Sequence, residues 1–194
     1  MPPDLRSYFV DQTEAMAALL IELVRIESPT SDPAAVNRMG ARVAEELDQL
    51  GAALTVHPRS EVGDIVEARW NADRPGKPLL IVCHMDTVHP IGMLAQNPAR
   101  SENGRLYGPG SYDMKGSIVT SLAAIRALRA LGLFPDRPLT ALMTSDEETG
   151  SVHSRKLIED RARGAALAMI MEPALPDGAV KTSRKSTGGF QIRT

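Results

Sequence analysis

Cysteine is nearly absent from this chain: Cys83 stands alone among 194 residues, which excludes an internal disulfide framework. Aromatic residues make up only 4% of the sequence and the formal net charge is -2. The chain therefore offers neither a basic surface for phosphates nor a set of stacking platforms for bases, and nucleic acid is excluded as an expected partner. No run approaches the roughly 18 consecutive apolar residues of a membrane span. The opening "MPPDLRSYFVDQTEAMAALLIELVRI" carries Asp4, Asp11 and Glu14 ahead of its apolar part, unlike the basic start of a signal peptide. The expectation is a soluble cytoplasmic protein with no membrane partner.

What is present suffices for one domain with its own core. Apolar residues at Met16, Leu19, Leu20, Leu23, Val24 and Ile26 recur at helical spacing and predict a helix over 13–27. In "SDPAAVNRMGARVAEELDQLG", Asp32 suits the N-cap, Pro33 the first helical position and Gly51 the left-handed closing residue, so a second helix is expected over 33–50. "ALTVH" and "DIVEARW" read as strands. So do "LLIVC", "PLTALMTS" and "ALAMIM", which lack polar alternation, as expected of strands buried on both faces. Helices are expected over 115–131 and over "SRKLIEDRAR". Strands alternating with helices predict an α/β fold of three layers, a mostly parallel sheet with helices on both faces.

Candidate chemistry collects where the buried strands end. "LLIVC" runs into His84 and Asp86, "PLTALMTS" into Asp146, Glu147 and Glu148, and "ALAMIM" into Glu172. Ligands of open parallel sheets bind outside the carboxyl ends of the strands. A fourth contributor is Asp113, in the loop "YGPGSYDMKGS" just before a helix. That loop lacks the Gly-Lys-Ser/Thr ending of a phosphate cradle.

Spacing suggests roles. Residues two apart in an extended segment share a face, so Asp86 is placed to accept the second ring N–H of His84 and fix which nitrogen faces a metal. Adjacent residues point apart, so of Glu147 and Glu148 one is expected to bind metal while the other holds water as general base. Several carboxylates gathered in one place require cations among them, which implies two divalent ions sharing one carboxylate. Imidazole and oxygen ligands without thiolates suit zinc, with cobalt or manganese as substitutes. His57, His89 and His153 read as surface residues, Cys83 as a small buried apolar residue, and Arg184 and Lys185 as a solvated basic turn.

The stretches "HMDTVHP", "GRLYGPGSYDMKGS", "TSDEETGS" and "MEP" resemble, in order and approximate spacing, the M20 family of co-catalytic metallopeptidases, and look most like its glutamate carboxypeptidase branch. The resemblance implies a zinc-exopeptidase-like catalytic domain in which His84 and Glu172 bind one zinc, Glu148 binds the other and Asp113 bridges them. Asp86 would orient His84, Glu147 would be the general base, and the Asp113-Met114 peptide bond would be cis. Ser117 and Cys83 stand where the family commonly has smaller, glycine-like residues. It further implies that residues 1–186 form the N-terminal part of the catalytic domain and that "GGFQIRT", within 187–194, opens a lid or dimerisation domain. The family's second metal-binding histidine follows that lid, beyond Thr194, so one metal site is expected to keep its protein ligands and the other to lack one.

The implied activity is hydrolysis of an amide bond beside a carboxylate, in a small peptide or N-acyl amino acid, releasing a C-terminal glutamate-like residue. A homodimer is the expected state of a full-length form. Two alternatives are a deacylase of N-acyl amino acids, of the acetylornithine deacetylase or succinyl-diaminopimelate desuccinylase type, and a non-catalytic fragment or degenerate homologue.

Overall fold

The computed structural model describes residues 4–175 and 177–183. The expected lid segment 187–194 and the basic pair Arg184 and Lys185 lie outside the described residues. Helix α1 (Leu5–Arg25) starts well before the expected residue 13, because the Asp4 carboxylate accepts hydrogen bonds from the backbone N–H groups of Arg6 and Ser7 at 3.0 and 3.3 Å. Those N–H groups have no partner within the helix, and the cap supplies one. Helix α2 (Pro33–Gln49) is capped as its sequence predicts. Asp32 Oδ1 accepts from the Ala35 N–H at 2.9 Å, and Gly51 closes the helix at φ +70°.

Five strands, β1 (Ala53–His57), β2 (Ile65–Trp70), β3 (Leu79–His84), β6 (Leu139–Thr144) and β7 (Leu167–Ile170), form one sheet in the order β1-β2-β6-β3-β7. β3 lies parallel to both β6 and β7, whereas β2 is antiparallel to β1 and to β6. β2 thus runs against the other four strands, and the sheet is mixed. The reason lies in the connections. The short link over 58–64 allows β2 only to fold back on β1, whereas the parallel strands are joined by long crossovers that carry helices. A separate hairpin pairs β4 (Arg100–Glu102) with β5 (Arg105–Tyr107) through Asn103 and Gly104, at φ 51° and 72°. Asn-Gly is the favoured pair for a two-residue hairpin turn, and the sequence carries that signal at 103–104.

The layers follow from period-two alternation in which both faces are apolar. Val66, Ala68, Ile81, Cys83, Ala141 and Met143 face a core made with α1, α2 and helix α4 (Gly116–Ala130), through Leu23, Val36, Met39, Val43, Ile118, Leu122 and Ile125. Ile65, Leu80, Val82 and Leu142 face the other way, against Leu157, Ile158 and Ala162 of helix α5 (Arg155–Gly164). Burying each such side chain contributes about 1.5–3 kcal/mol. The expectation of burial fails for "ALAMIM": among the described residues β7 pairs only with β3, and Leu167 and Ile170 are 53% and 56% exposed. Helix α3 (Met93–Gln96) is a single short turn. No described helix is long and apolar enough to cross a membrane.

Candidate metal centre

Parallel pairing brings the first two candidate ligands together. The β3–β7 register sets Val82 against Ile170, the last residue of β7, and just past that end Glu172 comes beside His84. His84 Nε2 lies 3.5 Å from Glu172 Oε1 and 3.0 Å from Asp113 Oδ1. One ligand atom from each of His84, Asp113 and Glu172 lies within 4.8 Å of the other two. Asp113 arrives on the turn Ser111–Lys115, whose Asp113-Met114 peptide bond is cis. Met114 is buried, and its Sδ accepts the backbone N–H of His84 at 3.1 Å. Gly110, at φ +68°, admits that turn; a Cβ there would lie 2.6 Å from the Thr87 methyl group.

The imidazole is fixed from its other side. His84 Nδ1 lies 3.0 Å from the Asp86 main-chain carbonyl oxygen and 3.5 Å from Asp86 Oδ1. Donation from Nδ1 leaves Nε2 facing the carboxylates. Asp86 itself is fully buried. Its Oδ2 accepts from the Thr30 hydroxyl at 2.7 Å and from the Glu148 N–H at 3.2 Å, and its Oδ1 accepts from the Glu147 N–H at 3.2 Å. Residues 28–30 run beside 85–87 to complete this support: the Thr87 N–H donates to the Ser28 carbonyl at 2.9 Å and the Ser28 hydroxyl to the Met85 carbonyl at 2.8 Å.

Of the three acids after β6, Asp146 turns inward and is fully buried, accepting the His153 N–H at 2.6 Å. Glu147 and Glu148 remain in a short turn, Glu147–Thr149. Glu148 stands outside the tight group of three but lines one cavity with Asp113.

Charge in this region is unbalanced. Burial, and then the carboxylates of Asp113, Asp86 and Glu147, push the Glu148 carboxyl above its ordinary value, against the pull of His84. Burial pulls the His84 imidazole down, but Asp86 and Glu172 outweigh it and raise it to about 9. Carboxylates gathered around an imidazole nitrogen, without a thiolate, form a donor set that suits divalent cations.

Several supporting residues went unread in the sequence: Ser28, Thr30, Met114 and Lys115. Lys115 is 1% exposed and its Nζ donates to the Ile26 carbonyl at 2.7 Å, tying the Asp113 turn to the end of α1. Burial pushes its ammonium down to about 8, against the pull of Glu27. Lysine seldom occupies a core, and nothing local in "DMKGS" announces this one. Cys83 is buried as expected, its thiol pushed up to about 12 by burial. His57 pairs with Glu67 at 2.8 Å, and His153 lies 3.7 Å from Glu61.

Residues 80–185 match the model of peptidase family M20/M25/M40. Over 165 residues the chain is 36% identical to carboxypeptidase G2 of Pseudomonas sp. (strain RS-16), covering 84% of this chain and 40% of that protein. It is 32% identical to a succinyl-diaminopimelate desuccinylase of Xylella fastidiosa (strain M23), covering 80% of this chain and 42% of that one. The fold is similar to that of human carnosine dipeptidase 1, with TM-score 0.74 and 24% identity over 87% of this chain and 40% of the other. It is similar also to an M20 family metallo-carboxypeptidase from Sulfolobus solfataricus, with TM-score 0.70 and 24% identity over 84% and 38%. The chain thus spans about two fifths of the length of these proteins.

Proposed function

The chain belongs to peptidase family M20/M25/M40, a metal-dependent family, and on that premise we propose that its full-length form hydrolyses an amide bond beside a carboxylate. The observation that carries the reading is the convergence of His84 Nε2 on Asp113 Oδ1 and Glu172 Oε1, at 3.0 and 3.5 Å. Three segments far apart in sequence bring ligand-type atoms to one point. His84 and Glu172 would hold one zinc, Glu148 the other, and Asp113 both.

Bound there, two zinc ions supply Lewis-acid polarisation of the substrate carbonyl and make water more acidic. The chain's own groups do the rest. The Glu147 side chain has no hydrogen-bond partner among the described residues, which suits a general base that takes a proton from the attacking water and passes it to the leaving amine. Asp86 holds the Glu147 backbone while it orients His84, so base and ligand share one anchor. Likeness to the desuccinylase favours a second reading within the same chemistry, removal of an acyl group from an N-acyl amino acid.

The decisive experiment is Glu147→Gln in the full-length protein. Turnover of N-acyl glutamate and N-succinyl amino acid substrates should fall by about 10²–10⁴-fold while bound zinc, counted by elemental analysis, stays the same. Unchanged turnover would refute the role of Glu147. The preferred substrate decides between the two readings. A full-length protein that binds at most one weak metal and turns over neither substrate favours the degenerate-homologue alternative instead.

A further inference from the structure

The acids 146–148 part company in the fold. Glu147 is exposed and Glu148 half-buried, whereas Asp146, directly before them, is fully buried and lies outside the group formed by His84, Asp113 and Glu172. A buried carboxylate is costly unless it is hydrogen-bonded, and the bond that Asp146 makes goes to the turn that carries its two neighbours. Its Oδ2 accepts the His153 N–H at 2.6 Å, across seven residues of chain.

The backbone N–H groups of that turn go largely to two aspartates. Those of Glu147 and Glu148 go to Asp86 Oδ1 and Oδ2, each at 3.2 Å. Those of Thr149 and Ser151 go to the Asp146 carbonyl at 3.4 and 2.8 Å, and that of Gly150 goes to the Glu147 carbonyl at 2.8 Å. Both ends of the turn are also fixed to the link 58–64. The Ser145 hydroxyl donates to the Gly63 carbonyl, and Arg59 Nε donates to the His153 carbonyl at 3.1 Å. The Asp146 side chain joins those two ends to each other. We infer that Asp146 is a positioning residue: through the His153 N–H it holds closed the turn that presents Glu147 and Glu148, without touching metal or substrate. The inference rests on the hydrolase reading for what the two glutamates do.

Asp146→Ala removes the closure. Asp146→Asn keeps it, because the amide oxygen can take the His153 N–H while the NH2 group replaces Oδ1, which has no hydrogen-bond partner among the described residues. Hydrogen exchange on this chain, read by mass spectrometry, should show the amides of 147–153 exchanging at least about tenfold faster in Asp146→Ala, the usual effect of losing a hydrogen bond to a charged group. In the zinc-loaded full-length protein, Asp146→Ala should lower kcat by about 10²-fold, as a displaced catalytic group does, with little change in KM. It should weaken the zinc assigned to Glu148 by about 10–100-fold and leave the zinc assigned to His84 and Glu172 unaltered. Asp146→Asn should recover most of each loss. Circular dichroism establishes that each variant folds, and if Asp146→Ala does not, Asp146→Ser, whose hydroxyl falls one bond short of the His153 N–H, takes its place. Unchanged exchange in the turn, faster exchange with unchanged kcat and zinc affinity, or equal damage in Asp146→Asn overturns the inference. Should the unaltered full-length protein turn over no substrate, the hydrolase reading fails, and exchange and zinc affinity still decide the role of Asp146.

Discussion

Asp86 accepts the backbone N–H of Glu148 on the carboxylate that also flanks His84: Oδ2 lies 3.2 Å from the Glu148 nitrogen, and Oδ1 lies 3.5 Å from His84 Nδ1. Asp86 therefore touches two candidate ligands from different strands, Glu148 through its carboxylate and His84 through its main-chain carbonyl at 3.0 Å with the carboxylate close behind.

Removing that link should be costly. Asp86→Ala leaves the Thr30 hydroxyl and the N–H groups of Glu147 and Glu148 without their acceptor. A loss of about 3–5 kcal/mol is expected, as when a buried charged partner is deleted, measured by urea unfolding. Asp86→Asn keeps the volume and should lower zinc affinity by about 10–100-fold, the usual effect of losing a partner behind a metal-binding histidine. Undiminished zinc affinity in Asp86→Asn would mean that His84 does not depend on its neighbour.

Zinc should stabilise the chain itself. An ion that binds only the folded state contributes about 2.7 kcal/mol at 100 times its Kd, which for a chain of this size raises Tm by about 5–10 °C. A chelator should reverse the shift, and His84→Ala should abolish it. A full shift in His84→Ala would place the ion elsewhere on the protein.

A second buried carboxylate predicts an acid limit to stability. Glu67 on β2 is 1% exposed and accepts from Arg161 at 2.7 and 2.9 Å and from His57 at 2.8 Å. Arg161 hydrogen bonding, with help from His57 and against the effect of burial, holds the Glu67 carboxyl below its ordinary value of 4.5. Because the folded-state value is the lower one, the stabilisation is complete above the unfolded value and is lost as pH falls through the folded one. Thermal unfolding should therefore show a decline below about pH 4.5 that is shallower in Glu67→Gln. Arg161→Met should cost about 2 kcal/mol near neutral pH, less than a fully buried pair because the arginine is partly exposed. A variant with the same acid limb as the unaltered chain would show that other carboxylates govern it.

Local pattern made much of this molecule readable. Asp32, Pro33 and Gly51 mark the ends of α2 because capping depends on neighbours within one turn. The apolar runs at 79–83 and 138–145 mark buried strands, and His84 and Asp86 stand two apart after the first of them. Even the shift of α1 to Leu5 rests on a local cap at Asp4 that the sequence contains. The M20 motifs, carried by short contiguous stretches, were legible for the same reason.

The sequence by itself determined the elements, the layered α/β class and the residue types available for chemistry, since these depend on periodicity and on what each side chain can bond. Only the tertiary structure decided which of those residues meet. Strand order placed β3 between β6 and β7, and that pairing sets His84 beside Glu172, 88 positions later in the chain. It also turned Asp146 inward while Glu148 came to line a cavity with Asp113, left β7 exposed at an edge, and buried Lys115 under the Asp113 turn. Such outcomes depend on contacts between distant segments, whose free energy exists only once the intervening chain has been ordered.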